Sequence, residues 1–225
     1  MLHKPRSSIH PAWLIALAGL LIPASDARFA EAQVRLQVNP YEGVQWDQVK
    51  QHKANLHTHT TQSDGRLAPE SVIDEYRGRG YTILALTDHD RVTYPWQKFG
   101  RDPAQSGMLA IVGNELSRHH HTLSLFCQFV ADTRDWNAAI AGVGLAGGVA
   151  VIAHPAMHWP REPKQASGLQ EVTGVPDDVV ERYAELFRTH PHLLGHEVLN
   201  GTRPLREYPL DRELWDKLLA KLMPA

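Results

Sequence analysis

The 225-residue sequence has little of several features that would narrow its class at once. It contains one cysteine, so no internal disulfide can stabilise the fold. We interpret Cys127, which lies in an apolar stretch, as a small hydrophobic residue of a strand and not as a nucleophile. The 23 Lys and Arg residues nearly balance the 25 Asp and Glu residues, so no global basic field favours a nucleic-acid partner. A polyanionic substrate would have to be recruited by local charge.

Long apolar runs are also scarce, which bears on membrane association. The apolar stretch at residues 12–22 is shorter than the ~20 residues that a membrane-spanning helix needs. It follows basic residues and precedes the small-x-small triplet Ser25-Asp26-Ala27, a pattern typical of a secretory signal peptide at residues 1–27. An uncleaved membrane anchor is the alternative. We therefore expect a secreted or periplasmic protein without a stable membrane partner, in which a lead-in segment, residues 28–50, precedes the folded domain.

The most informative stretch contains His57-Thr58-His59 and Ser63-Asp64-Gly65, followed by Thr87-Asp88-His89-Asp90. In an extended backbone, side chains two residues apart point to the same side, so His57 and His59 can hold one metal ion together. A lone histidine is more often a core or surface residue that is satisfied by hydrogen bonds. The ordered combination of imidazoles and carboxylates favours a metal site, because borderline divalent metals prefer these ligands.

Strands alternate with helices along the rest of the chain. Apolar runs predict strands at residues 82–86, 108–112, 123–130 and 149–153, and another that begins at residue 193. Helical spacing predicts helices at residues 68–77, 135–145, 177–189 and 211–222, the third with an aspartate cap. This alternation predicts an α/β fold with a mostly parallel sheet. Because polar residues follow several strands, we expect a metal site at one rim of an α/β barrel.

Together with Gly113-Asn114-Glu115-Leu116-Ser117 and Ala153-His154-Pro155, these motifs resemble the successive motifs of the PHP (polymerase and histidinol phosphatase) family of metal-dependent phosphoesterases. The resemblance runs from about residue 53 to residue 200. It implies a distorted (β/α)7 TIM-like barrel with a cluster of two or three divalent ions, Mn, Fe or Zn, at the strand ends. It also implies an Asp-x-His pair on one more strand, which nothing after Met223 supplies. We therefore expect a C-terminally incomplete PHP-like domain at residues 51–225, or other residues in place of that pair.

The resemblance implies seven metal ligands: His57, His59, Asp64, His89, Glu115, His121 and His154. Glu115 is suited to bridging two ions and is a candidate catalytic residue, as is Asp88, which we expect to orient a ligating imidazole. Asp64 could instead be a turn residue before Gly65. His119 and His120 compete with His121, the histidine that stands just before an apolar strand. Four other histidines have weaker claims as ligands. We expect each of them to lie at the surface or around the ligands: His158, His190, His192 and His196.

The predicted activity is hydrolysis of a phosphate ester by a metal-activated water. The substrate would be a phosphomonoester, a nucleotide or the 5′ end of an oligonucleotide, the last implying 5′-3′ exonuclease activity. Arg118 and Arg161 are candidate phosphate-binding residues, with solvated surface charges as the alternative. Glu197 and Asn200 could line the pocket or serve in capping and packing. Two further hypotheses about the function stay open. The chain could be a metal-binding remnant without turnover, or an amidohydrolase, which would normally have a lysine where this chain has Glu115.

Overall fold

The computed structural model describes residues 41–158, 174–201 and 208–223. The strands in these ranges are β1 Ala54–Asn55, β2 Ile83–Ala85, β3 Leu109–Ile111, β4 Gly113–Leu116, β5 Thr122–Leu125, β6 Val149–Ile152 and β7 Leu193–His196. The α-helices are α1 Pro69–Gly78, α2 Pro103–Ser106, α3 Trp136–Leu145, α4 Asp177–Thr189 and α5 Tyr208–Leu222. A short 3₁₀ helix, Pro155–Met157, follows β6. The predicted signal peptide and Arg161 lie outside the described residues.

The described residues form a mixed α/β fold, as predicted, and their strands pair in two sheets. In the first sheet, β1, β2 and β3 are parallel; in the second, the order is β4-β5-β6-β7. Here β4 and β5 pair antiparallel, as do β5 and β6, whereas β6 and β7 pair parallel. The link from β4 to β5 is only a few residues long and contains no helix, so it is too short for a parallel crossover. Within the described residues these pairings do not close a barrel.

Two predicted strands differ in extent from the observed ones. The run from residue 108 to Glu115 divides into β3 and β4, which belong to different sheets. The strand predicted at residues 123–130 ends at Leu125, because Phe126 has a φ of 63°, a left-handed conformation that a strand cannot accommodate. An isolated parallel bridge between His89 and Glu115 joins the segment after β2 to β4. This bridge connects the two sheets at the level of the candidate site.

The helix predictions are confirmed to within a few residues. Asp135 caps α3 by accepting a hydrogen bond from the backbone N–H of Ala138 at 3.1 Å. The cap predicted for α4 is wrong: Pro176 occupies the N-cap position, and Asp177 lies in the first turn, where its charge still suits the helix dipole. None of the helices in the described ranges is long and apolar enough to span a membrane.

The apolar core is divided by the second sheet. One cluster packs α3, α4 and α5 against that sheet, with Tyr183, Ile152 and Leu214 fully buried. A central cluster, which includes Ala85 of β2 and Leu125 of β5, fills the space between the sheets. The residues that follow β1, β2 and β6 therefore lie next to tightly packed apolar side chains, which limit their movement.

Candidate metal centre

Most of the candidate ligands lie within a strand or close to its end. His57 and His59 follow β1, His89 follows β2, and His154 follows β6. Glu115 lies within β4 and is completely buried. Because these strand ends meet beside the bridge between the two sheets, side chains from distant parts of the sequence converge there.

The Glu115 carboxylate is the centre of this convergence. Five imidazole nitrogens lie 3.0–3.4 Å from its two oxygens, those of His121 and His154 at Oε1 and those of His57, His59 and His89 at Oε2. We call these six residues the Glu115 cluster. One carboxylate that faces imidazoles through both oxygens has the arrangement needed to bridge two cations.

The geometry of the Glu115 cluster fits bound divalent ions. Ligand atoms that lie ~2.0–2.2 Å from one ion, at tetrahedral or octahedral angles, are separated from one another by roughly 3.0–3.5 Å. The Nε2 atoms of His57 and His59 lie 3.0 Å apart, although at most one of two facing ring nitrogens can donate a hydrogen bond to the other. Oε2 of Glu115 is buried and has no hydrogen-bond partner of good geometry in the part of the chain that the structure describes. A cation between these atoms would satisfy all of them.

Electrostatics favours an ionised carboxylate at this site. Burial alone would raise the pKa of Glu115, but the surrounding imidazoles outweigh burial and lower its pKa. Burial lowers the pKa of His57, but the nearby carboxylates of Glu115 and Glu197 outweigh burial and raise it to about 9. Burial and neighbouring imidazoles lower the pKa of His158 to about 3. The neutral imidazole of His158 therefore keeps a lone pair for a metal, whereas His57 would have to release its proton.

The exposed side of the cluster is completed by Asp64. Its carboxylate lies 3.4 Å from Nδ1 of His59 and 3.5 Å from Nε2 of His89, although its side chain is 69% exposed. His59, Asp64 and His89 could thus hold one ion together. The turn before Gly65 and the candidate ligand are therefore not exclusive alternatives.

The structure distinguishes the three consecutive histidines. Nδ1 of His121 approaches Glu115, as expected for the candidate ligand. The ring of His120 stacks on Trp136 with centroids 4.3 Å apart. Nδ1 of His119 contacts the carbonyl oxygen of His120. Of the three, His121 is the one that joins the cluster.

Asp88 has partners different from the expected imidazole. Its fully buried carboxylate accepts hydrogen bonds from the backbone N–H and the hydroxyl of Thr60, at 2.7 and 2.8 Å, and from the hydroxyls of Ser63 and Thr93, at 2.8 and 2.5 Å. These donors lie in the loop that carries His59 or just after Asp88 itself. Hydroxyl and amide groups thus occupy both carboxylate oxygens of Asp88. Through these hydrogen bonds Asp88 holds the loop that carries His59, which we call the ligand loop.

Sequence reasoning left the role of Glu197 open, and the structure places it directly behind the cluster. Its Oε1 accepts a hydrogen bond from Nδ1 of His57 at 2.5 Å, and its Oε2 accepts from the backbone N–H of His154 at 3.0 Å and from Asn200 at 3.1 Å. This contact fixes the His57 tautomer that directs Nε2 towards Glu115, an arrangement common around metal-ligating histidines. The available sequence signal was that Glu197 follows an apolar strand, as several ligands do.

Other candidate residues lie apart from the Glu115 cluster in the contacts of the described residues. Arg118 donates to the carbonyl oxygen of Asp132 at 3.4 Å. The side chains of His190 and His192 bond to Asn137 and to the carbonyl oxygen of Ile140. His196 contacts the carbonyl oxygen of Glu197. These histidines have packing and hydrogen-bonding roles at the ends of α4 and β7.

Replacing Glu197 by glutamine is expected to weaken metal binding by roughly 10- to 100-fold, as is typical when the partner of a ligating histidine is lost. The amide keeps the size of the side chain, but its NH₂ group competes for the position that must accept from His57. Dialysis equilibrium with Zn²⁺ or Mn²⁺ measures the change. The matched control is Glu185→Gln, an exposed position on α4. Equal affinities in both variants would contradict the positioning role.

Replacing Gly65 by alanine is expected to displace the loop that carries the first two histidines. A Cβ at Gly65 would lie 2.5 Å from the backbone C and O atoms of His59, and backbone cannot yield as a flexible side chain can. We expect a loss of about 1–3 kcal/mol in the free energy of unfolding, as for other overpacked sites, and weaker metal binding. The control is Gly78→Ala at the end of α1, where a Cβ meets nothing within 4 Å. Thermal melts of both variants would show the difference, and matching melts would refute it.

Comparison with known proteins shows similarity at the level of the fold. No protein-family model and no curated protein matches the sequence. A two-domain protein from Bacteroides vulgatus that contains a predicted PHP-like metal-dependent phosphoesterase is 22% identical, with a TM-score of 0.50, over 74% of this chain and 49% of that one. A proposed metal-dependent phosphoesterase from Bifidobacterium adolescentis is 16% identical, with a TM-score of 0.51, over 76% and 84% of the two chains. An amidohydrolase from Chromobacterium violaceum, with bound sulfate and no metal, is 18% identical, with a TM-score of 0.49, over 70% and 80%.

The two phosphoesterase-like structures support a PHP-like fold for this chain. The chain spans about half the length of the Bacteroides protein.

Proposed function

We propose that this chain is a metal-dependent hydrolase that acts on phosphoester bonds. The observation that carries the proposal is the buried Glu115 carboxylate, which faces five imidazoles through its two oxygens. Leaving a carboxylate and so many imidazoles in one place without a cation would be costly for a folded protein, because the buried groups would be left incompletely paired. The PHP-like fold of the two similar structures is consistent with this proposal.

The residues of the Glu115 cluster divide into two sides that would each hold an ion. His57, His59 and His89, with Asp64, lie on the Oε2 side, whereas His121 and His154 lie on the Oε1 side. When bound, the ions would supply activation of water near neutral pH and positive charge for the phosphate oxygens. Glu115 would fix the spacing of the two sides, and Glu197 would keep the His57 ring in its ligating orientation.

The exposed face of the cluster, at Asp64 and His89, is where a substrate would enter. We propose a phosphomonoester, a nucleotide or the 5′ end of an oligonucleotide as the substrate. With a formal net charge of -2, the protein has no global attraction for polyanions, so local contacts would bind the phosphate. Arg118 and Arg161 are our candidates for such contacts. Export through the N-terminal segment would place the activity outside the cytoplasm.

The first test is a phosphatase assay on the purified protein, loaded separately with Mn²⁺, Zn²⁺ and Fe²⁺. We expect p-nitrophenyl phosphate turnover that depends on added metal and is lost on treatment with a chelator. Oligonucleotides with and without a 5′ phosphate would then distinguish a phosphatase from an exonuclease. Bound metal without turnover of any phosphoester would support the metal-binding remnant instead, and turnover of amide substrates alone would support the amidohydrolase.

A further inference from the structure

A third imidazole, that of His158, lies beside the two imidazoles that face Oε1 of Glu115. The ring centroid of His158 lies 4.4 Å from that of His121 and 5.3 Å from that of His154. One ligand atom from each of these three residues can be chosen so that all lie within 4.8 Å of one another. Three imidazoles are thus gathered at a point where the cluster otherwise has only two.

The hydrogen bonding of His158 is incomplete, which leaves one of its ring nitrogens available for a ligand. Its Nε2 atom is buried and has no hydrogen-bond partner among the described residues, and the same is true of Nδ1 of His154. Buried ring nitrogens of this kind are uncommon in folded proteins, because each one loses its contacts with water. A cation bound between these rings would compensate for that loss at His158.

The backbone holds His158 in this position. His154 has a φ of 30°, and Pro155 then begins the short 3₁₀ helix that ends just before His158. The N–H of Ala156 within that helix donates to Oδ1 of Asp211 on α5 at 2.8 Å, which anchors the turn to the core. Left-handed backbone at a residue other than glycine persists only where the surrounding structure enforces it, and such residues are concentrated at functional sites.

From this geometry we propose that His158 is a metal ligand, which completes a three-imidazole set with His121 and His154 on the Oε1 side of Glu115. The proposal rests on the metal-dependent function argued above and refines it, because it makes the two ion positions unequal. The Oε2 side has the carboxylate of Asp64 as well as imidazoles, whereas the Oε1 side adds only a third imidazole. Imidazole-rich sites favour Zn²⁺ and Co²⁺ over Mn²⁺, and three imidazoles together with one oxygen of Glu115 supply four protein ligands, the number that a tetrahedral zinc site uses.

The test is to load the full chain, its His158→Ala variant and a His52→Ala control with Co²⁺, and to measure bound metal and visible absorption. His52 is exposed and bonds to Thr82, so its removal changes the histidine count without touching the cluster. We expect His158→Ala to hold about one Co²⁺ fewer per chain than the wild type and to lose part of the absorption, as expected when one of two metal sites loses a ligand. His52→Ala should match the wild type.

A second variant, His158→Asp, separates loss of a ligand from loss of structure. It offers an oxygen in place of a nitrogen, so we expect it to retain the ion but to shift its preference towards Mn²⁺. Wild-type stoichiometry and absorption in His158→Ala would overturn the role of His158. If the wild type binds Co²⁺ as expected but hydrolyses no phosphoester, the proposed function fails while the ligand role stands. If the wild type binds no Co²⁺, both fail.

Discussion

Replacement of Glu115 by glutamine is expected to abolish stable metal binding and phosphoester hydrolysis together. The amide has the same size as the carboxylate, but it lacks the charge that compensates the cations and the second acceptor oxygen that would bridge them. Loss of a residue that merely supports a ligating histidine costs roughly 10- to 100-fold in metal affinity or activity, so loss of the bridging ligand should exceed 100-fold. Metal analysis after dialysis and the p-nitrophenyl phosphate assay measure the two effects.

The control for Glu115→Gln is Glu185→Gln, which removes one exposed carboxylate of α4. This variant should retain wild-type metal content and turnover. A circular dichroism melt of the metal-free proteins would show that Glu115→Gln still folds. A Glu115→Gln protein with bound metal and turnover equal to the wild type would remove the basis of the proposed function.

Replacement of Asp88 by alanine is expected to cause a large loss of stability and to disorder the ligand loop. The substitution leaves the N–H and hydroxyl of Thr60 and the hydroxyls of Ser63 and Thr93 without their acceptor, in a site where Asp88 is fully buried. Each buried donor left unsatisfied costs about 1–3 kcal/mol, so we expect the free energy of unfolding to fall by about 3 kcal/mol or more. Urea denaturation of the metal-free protein gives this value without a contribution from bound ions.

The matched substitution is Asp216→Ala on the exposed face of α5, where we expect a change within about 0.5 kcal/mol. A less severe variant, Asp88→Asn, keeps one acceptor oxygen and should fall between the two. If Asp88→Ala were no less stable than Asp216→Ala, the hydrogen bonds from the loop to Asp88 would contribute little to the stability of the fold.

The sequence revealed those parts of the site that have a local signature. His57 and His59 are two residues apart after a short strand, so strand periodicity indicates that these two side chains can share an ion, whereas Glu115 was indicated by the resemblance to the PHP motifs. The preference of borderline metals for imidazole and carboxylate adds the chemistry. The helices α1, α3 and α4 were predictable for the same reason, since their apolar spacing and end residues are contained in short windows of sequence.

The rest depends on contacts between residues far apart in the chain. Glu197 reaches His57 across 140 positions, and no local pattern could show that these two residues are partners. Asp88 stands next to the candidate ligand His89, which suggested an imidazole partner. Instead, its oxygens accept hydrogen bonds from Thr60 and Ser63, which lie in a loop far away in the sequence. β4 and β5 pair antiparallel because a short loop joins them. The hydrophobic pattern of the sequence does not show in which direction two strands pair.

The most direct test of the central claim is the anomalous scattering from crystals of the wild-type protein grown with Zn²⁺ or Mn²⁺. We predict two or more peaks at the Glu115 cluster, with Glu115 between two of them and imidazole nitrogens ~2.0–2.2 Å from each, the usual ligand distance. Peaks only elsewhere on the surface, or no peak beside Glu115 at saturating metal, would contradict the claim that these residues form a metal centre.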